Sequence, residues 1–344
     1  MPFSARLSPH VDRVRQHTKT WARDMGMLDG LLWTEAYYDQ SDFGSFTPLA
    51  HPALGLDALV QISDMHVWAW YVADIFYDGY FRTRDLAGAK AFVARMRSVM
   101  DDPAQPTWTV AERALADLLT RAPLSARDEA SLVEYFDALL WEVHCNAQNR
   151  VPDPVDFVEM RRRTIAADMS ARLAAGRHLD ELPAELMANS TMQAMVDAFA
   201  DITSLKADVV GYDRFGPDTG IITNAVEVVR TFFDCEVQQA VNMVADLVNA
   251  RMRQFATSAA EDLPYLADQY RLDAGQREAL KAYVEALKAW LAGELLWTQR
   301  TGRYQPYPTP SVASFHRPSG LGTRSLSIQP QGRGQVTPTK SVSA

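Results

Sequence analysis

Between Asp128 and Gln148 the apolar side chains Leu132, Phe136, Leu139, Leu140 and Val143 recur at intervals of three and four residues. On a helix that spacing lays them along one stripe, which predicts burial of that face. The same period runs through Phe232 to Phe255 and through Gln276 to Thr298, and helical patterning dominates from about Val11 to Tyr304. No segment sustains the period-two alternation of a half-buried strand. The chain therefore reads as all-α. Pro, Gly and Asp interrupt the pattern at Asp101 to Pro106, Val151 to Pro154, Gly176 to Pro183 and Gly211 to Gly220. These are loop signals, and none is long enough for an interdomain linker, so residues 1–304 read as a single domain without internal repeats.

Composition agrees with a folded chain: 47% of the 344 residues are hydrophobic and 22% charged. Residues 305–344 differ in kind, with Pro306, Pro308, Pro310, Pro318, Pro330 and Pro338 among Gly and Ser, which predicts a disordered tail. Four of the 34 Lys and Arg lie in this tail and none of the 43 acids does, so residues 1–304 carry a formal −13. That balance argues against nucleic acid or an anionic membrane surface as partner and favours cations. Cys145 and Cys235 are too few for a disulfide framework, and the first thirty residues scatter charge where a signal peptide needs an apolar core. A cytoplasmic location is expected. The most apolar stretch, Ala58 to Phe81, contains Asp64, His66, Asp74 and Asp78, so no membrane span is read.

Asp74 and Asp78 lie four apart within that stretch, a spacing that stacks both carboxylates on one helical face. Stacked carboxylates in an aromatic setting need compensating cations, either an Arg partner or a hard ion such as Mg²⁺. Asp201, Ser204 and Asp208 present three oxygens along one side of a later helix, enough for one ion. Arg161, Arg162 and Arg163 open one cationic patch, and Arg303 with Tyr304 closes the last helical pattern with another. Guanidinium forks grip phosphate oxygens and a phenol adds a directed donor. Among the seven His and two Cys no ligand constellation stands out, and no Gly-rich phosphate loop or Ser/His/Asp arrangement is present.

The order of these four elements resembles the bacterial class I terpene synthase family, over about residues 15–304. Asp74 and Asp78 match the later acids of its Asp-rich DDxxD-type motif, with Ala73 at the first. Arg161-Arg162-Arg163-Thr164-Ile165-Ala166 matches its RRxTxG sensor segment, with Ala166 where a helix-breaking Gly is usual. Asp201, Ser204 and Asp208 match its NDxxSxxxE triad, with Ala200 at the leading Asn. Trp297, Arg303 and Tyr304 match the terminal pattern.

This resemblance implies a class I terpenoid synthase-like helical bundle around a central apolar cavity. It implies a cyclase that ionises a linear C10, C15 or C20 prenyl diphosphate and cyclises the resulting cation, releasing diphosphate. Three Mg²⁺ ions would be held by Asp74, Asp78, Asp201, Ser204 and Asp208. Arg162, Arg303 and Tyr304 would act on the diphosphate, with Arg161 and Lys206 as further contacts. Trp70, Phe76, Phe199 and Trp297 are the expected aromatic walls, and Asp213 and Asp218 could lend replacement ligands. The alternatives are a non-catalytic relative that binds an isoprenoid or a protein, a chain-elongating prenyltransferase, whose second DDxxD is missing, and a di-metal bundle, whose Glu-x-x-His pairs are absent. A homodimer is the expected assembly on base rate.

Overall fold

In a computed structural model, which describes residues 2–166, 169, 172, 173, 175, 179, 181–216 and 219–305, the chain is helical, and many of the helices start where a side chain satisfies a free amide of the first turn. They are α1 (Val11–Asp24), α2 (Glu35–Ser41), α3 (Phe43–Ala50), α4 (Leu56–Ile75), α5 (Leu86–Asp101), α6 (Val110–Arg121) and α7 (Ala126–Gln148). Then follow α8 (Pro154–Thr164), α9 (Ser190–Val210), α10 (Ala225–Phe233), α11 (Val237–Thr257), α12 (Leu263–Gln269) and α13 (Ala274–Thr298). Single helical turns stand at Ala184–Met187 and Tyr212–Phe215, and no strand occurs among the described residues. Ser125 caps α7, Asp153 caps α8 ahead of Pro154, and Asp273 exchanges side-chain and backbone hydrogen bonds with Gln276 to start α13.

Two stretches depart from the sequence pattern. The apolar period from Phe232 to Phe255 is split, because α10 ends at Phe233 and Asp234 turns left-handed at φ 48° before α11 begins. A period of 3.6 survives such a kink, since it records which face is apolar and not whether the axis is continuous. In addition, α4 continues into a π turn over Phe76–Phe81. Its wider i→i+5 winding keeps Asp78 on the same side of the helix as Asp74, and the charge of Asp74 is felt at Asp78.

One large apolar cluster joins α1 through α7 to α9 and α13. Every residue of α3 is buried, with α13 lying against it. Gly293 permits this approach: a Cβ there would run into the backbone of Leu49 and Ala50. Residues 306–344 lie outside the described residues, so the expectation of a disordered tail is not addressed by the fold. No helix among the described residues is long and apolar enough to cross a membrane.

Gly293→Ala must push α13 off α3, and overpacking of this kind costs about 1–3 kcal/mol. Thermal unfolding should show a lower Tm for that variant, while Gly275→Ala, whose Cβ meets nothing closer than 3.4 Å, should lie within a degree or two of the parent.

Candidate active site

A chamber opens between α4, α9 and α13, with α7 and α8 closing its flank. From α4 it receives Met65, His66, Ala69, Trp70 and Ala73, the three-and-four spacing of one helical face. Trp70 stacks on Trp297 with centroids 5.0 Å apart and planes at 15°. Phe46 sets its edge against Trp70, Trp290 and Trp297. His66 shares a 2.8 Å hydrogen bond with Thr47, and burial draws its imidazole down to about 3, so it is neutral. The walls are thus aromatic and largely uncharged. Charge enters at one end, where Arg161, Asp208, Arg303 and Tyr304 line the opening with Asn224 and Phe215.

Because Ala73 faces the chamber, Asp74, rotated about 100° further round the helix, faces away from it. Its carboxylate is 1% exposed. Trp33 Nε1 donates to it at 2.8 Å, the Tyr37 hydroxyl at 3.3 Å, and the two terminal nitrogens of Arg303 at 3.1 and 2.9 Å. Arg214 approaches to 3.5 Å. Burial pushes the Asp74 carboxyl up, but the charges of Arg303 and Arg214 outweigh it and hold the group below its ordinary value. The turn bearing Arg303 is itself docked on α2, where Gly302 N–H donates to Gln40 at 2.9 Å and the Thr301 hydroxyl to Ser41 at 2.6 Å.

Asp78, carried by the π turn, meets Arg82 at 3.3 Å. Burial, and then the charge of Asp74, push its carboxyl up to about 6. On α9, Asp201 is fully buried and is gripped by Arg162 at 2.6 and 3.1 Å and by Arg251 at 2.9 Å. Ser204 donates to the Asp201 carbonyl at 3.4 Å. Asp208 takes a bidentate Arg161 at 2.7 and 3.1 Å together with the Ala225 amide at 2.9 Å. Arg161 also donates to Thr164 at 2.7 Å and lies 3.9 Å from the buried Glu142. Just beyond α8, Ala166 adopts φ 47°, a left-handed conformation that glycine takes at least cost, so the chain breaks its helix there without one.

Of the residues expected from the sequence, Trp70, Arg161, Asp208, Trp297, Arg303 and Tyr304 line the chamber. The others stand behind its wall. Phe76 packs edge-on with Tyr80, Phe81 and Phe92, Phe199 packs behind Trp290, and Lys206 pairs with Glu294. Arg162 spans Asp197 and Asp201. Asp213 is exposed, and Asp218 lies outside the described residues. Among the described residues no three His, Cys, Asp or Glu side chains are gathered as a metal cage. Sequence reasoning passed over Arg214, Glu142, His66 and Glu294. His66 and Glu294 carried a visible signal, a polar residue inside an otherwise apolar helical face; Arg214 carried none, lying in a segment that read as a loop.

Residues 64–254 match the model of terpene synthase family 2, C-terminal metal binding. The chain is 27% identical to pristinol synthase of Streptomyces pristinaespiralis, with 96% of this chain and 91% of that protein covered. It is 24% identical to 7-epi-alpha-eudesmol synthase ((2E,6E)-farnesyl diphosphate cyclizing) of Streptomyces viridochromogenes, over 91% and 93% of the two chains. Its fold is similar to the crystal structure of germacradien-4-ol synthase from Streptomyces citricolor, at a TM-score of 0.75 and 23% identity, covering 88% of this chain and 97% of that one.

Removing the charge of Asp74 strands two buried guanidinium groups, so Asp74→Asn should cost about 3–5 kcal/mol in urea unfolding, and Asp78→Asn less than about 1 kcal/mol. Equal losses would contradict these environments. Burial, opposed by Arg161, pushes Glu142 up to about 7 from an ordinary 4.5. Across that window the folded chain keeps a proton that the unfolded chain releases, so this group's contribution to stability falls as pH rises from 4.5 to 7. Glu142→Gln should flatten that part of the stability profile.

Proposed function

The chain belongs to terpene synthase family 2, named for its C-terminal metal-binding region, and on that premise we propose that it is a cyclase of farnesyl diphosphate. One observation carries the reading: Arg161, Arg303 and Tyr304 gather at one end of a chamber whose remaining wall is aromatic. A diphosphate is met by guanidinium forks and a phenol at that end, and its hydrocarbon chain lies among Trp70, Trp290, Trp297 and Phe46. The C15 chain length is supported by the relative whose name gives farnesyl diphosphate as the compound cyclised.

Family membership makes a divalent metal part of this chemistry. The donor set suits a hard cation. Asp208 reaches the chamber and Ser204 lies one turn below it on the same helical face, while Asp78 pairs with Arg82 at 3.3 Å and feels the charge of Arg214. Guanidinium groups stand as counter-ions to these carboxylates, and a position that pairs with a cation supports the reading. Mg²⁺ bound there would supply positive charge to the departing diphosphate. We take Asp78, Ser204 and Asp208 as the best-placed ligands of the five expected, the number of ions being three in the reading from resemblance. Asp74 and Asp201 act through the arginines they hold.

Arg161 and Arg303 orient the diphosphate so that its C–O bond can break with the allyl group directed down the chamber. Negative charge develops on oxygens already facing fixed cations, which lowers the barrier without reorganising solvent. The aromatic faces then hold the cation without reacting with it and exclude water.

Incubation with Mg²⁺ and C10, C15 or C20 prenyl diphosphates should release diphosphate and yield cyclic products from the C15 compound, with loss of turnover in EDTA. Arg303→Gln should lower kcat by about 10²–10³, the loss typical of a transition-state donor. Bound prenyl diphosphate without diphosphate release at any chain length would instead leave a non-catalytic isoprenoid binder.

A further inference from the structure

The chamber face of α4 continues past the end of the helix. Met65, Ala69 and Ala73 lie on it, and four residues beyond Ala73 the π turn brings Tyr77 onto the same wall, at the charged end. Phe215 stacks on the Tyr77 ring with centroids 4.2 Å apart and planes at 25°, and Phe81 meets it edge-on at 5.3 Å. The guanidinium groups of Arg214 and Arg303 lie over Phe215 at 4.7 and 5.9 Å. The phenol ring is thus held in place, and its hydroxyl stands within the fields of Arg161, Glu142, Asp208 and Arg303.

The neighbouring polar groups are engaged with one another. Arg161 and Asp208 pair, Arg303 pairs with Asp74, and Asn224 donates to the Asp208 carbonyl while accepting from the Val226 amide. The Tyr77 hydroxyl makes no hydrogen bond among the described residues. Nor is it one of the described polar atoms sealed from solvent without a partner. A hydroxyl that is neither paired nor sealed, on a residue of the chamber wall, opens on the chamber. Burial, opposed by the charge of Arg161, pushes it up to about 12, so it keeps a proton to donate. For the fold alone a phenylalanine ring would serve as well, because a hydroxyl without a protein partner adds nothing to stability.

We propose that Tyr77 is a further diphosphate-binding residue, its hydroxyl donating to a phosphate oxygen held at the end where Arg161 and Arg303 line the chamber. This rests on the diphosphate-binding end proposed above. Tyr304 is the phenol that the resemblance implies there, and Tyr77 adds a second from the α4 side. A neutral donor tightens the grip on the anion without placing more positive charge beside two guanidinium groups, and a hydrogen bond to an ionised acceptor is of the stronger kind. It meets an oxygen on which negative charge grows as the C–O bond breaks.

The probe is inorganic diphosphate, titrated calorimetrically into the full chain at saturating Mg²⁺. Tyr77→Phe keeps the ring and its stack on Phe215, and should bind diphosphate about tenfold more weakly than the parent, the loss of one hydrogen bond to a charged group. Its Tm should match the parent's, since the hydroxyl has no partner among the described residues to lose. Tyr80→Phe, whose ring packs on Phe76 and Phe92 and does not line the chamber, should bind diphosphate as the parent does. Parental affinity in Tyr77→Phe overturns the proposal, and so does an equal loss in Tyr80→Phe or a Tm that falls with the affinity. A parent that binds no diphosphate overturns it without any variant. Release of diphosphate from the C15 compound is a separate measurement: a chain that binds diphosphate through Tyr77 but releases none keeps this contact and fails as a cyclase, and an active cyclase whose Tyr77→Phe variant has parental affinity does the reverse.

Discussion

Asp74 and Arg303 form a bidentate ion pair in a site almost closed to water, and the opening of the chamber is built around it. Neither charge could be buried there alone, because the desolvation of an unpaired ion exceeds what packing can offset. Together, and with Trp33, Tyr37 and Arg214 completing the hydrogen bonds, they tie α2, α4, the 212–215 turn and the segment that follows α13 into one corner. Arg303 can line the chamber only because Asp74 holds it from behind. Asp74 in turn is free for that task because Ala73 occupies the neighbouring position facing the cavity.

The same device recurs around the chamber. Arg161 is held by Asp208, and Arg162 and Arg251 by Asp201, so each carboxylate that a residue count would enter as excess negative charge is locally neutralised. This is why residues 1–304, formally at −13, present guanidinium groups at the opening. A net charge is a sum over the molecule and carries no information about place. The consequence is a chamber with guanidinium groups at one end and an aromatic interior.

Ion pairing at this corner and close packing along α13 serve one end. Gly293 lets α13 settle on α3, which places Trp297 in register with Trp70 and sets Glu294 in the chamber wall. A shift of α13 would move the aromatic wall and the charged groups together. Chamber shape and chamber electrostatics are therefore set by the same helix contacts.

Much of the helical architecture was legible from the period of apolar residues alone. The stripes at Asp128 to Gln148 and Gln276 to Thr298 became α7 and α13 within two residues, because burial of one helical face is a local property of spacing. The order of acidic and basic motifs likewise pointed to the family. Spacing misled where the axis itself broke: the left-handed Asp234 divides one apolar run into two helices. Residue chemistry and helical phase, then, were determined by the sequence as written. Which cation each carboxylate meets, and whether Arg161 or Arg162 faces the cavity, was decided by tertiary packing, since Asp74 and Arg303 stand 229 positions apart and Arg161 and Asp208 47. Periodicity relates side chains within a few turns, and partners so distant are chosen only when whole helices dock.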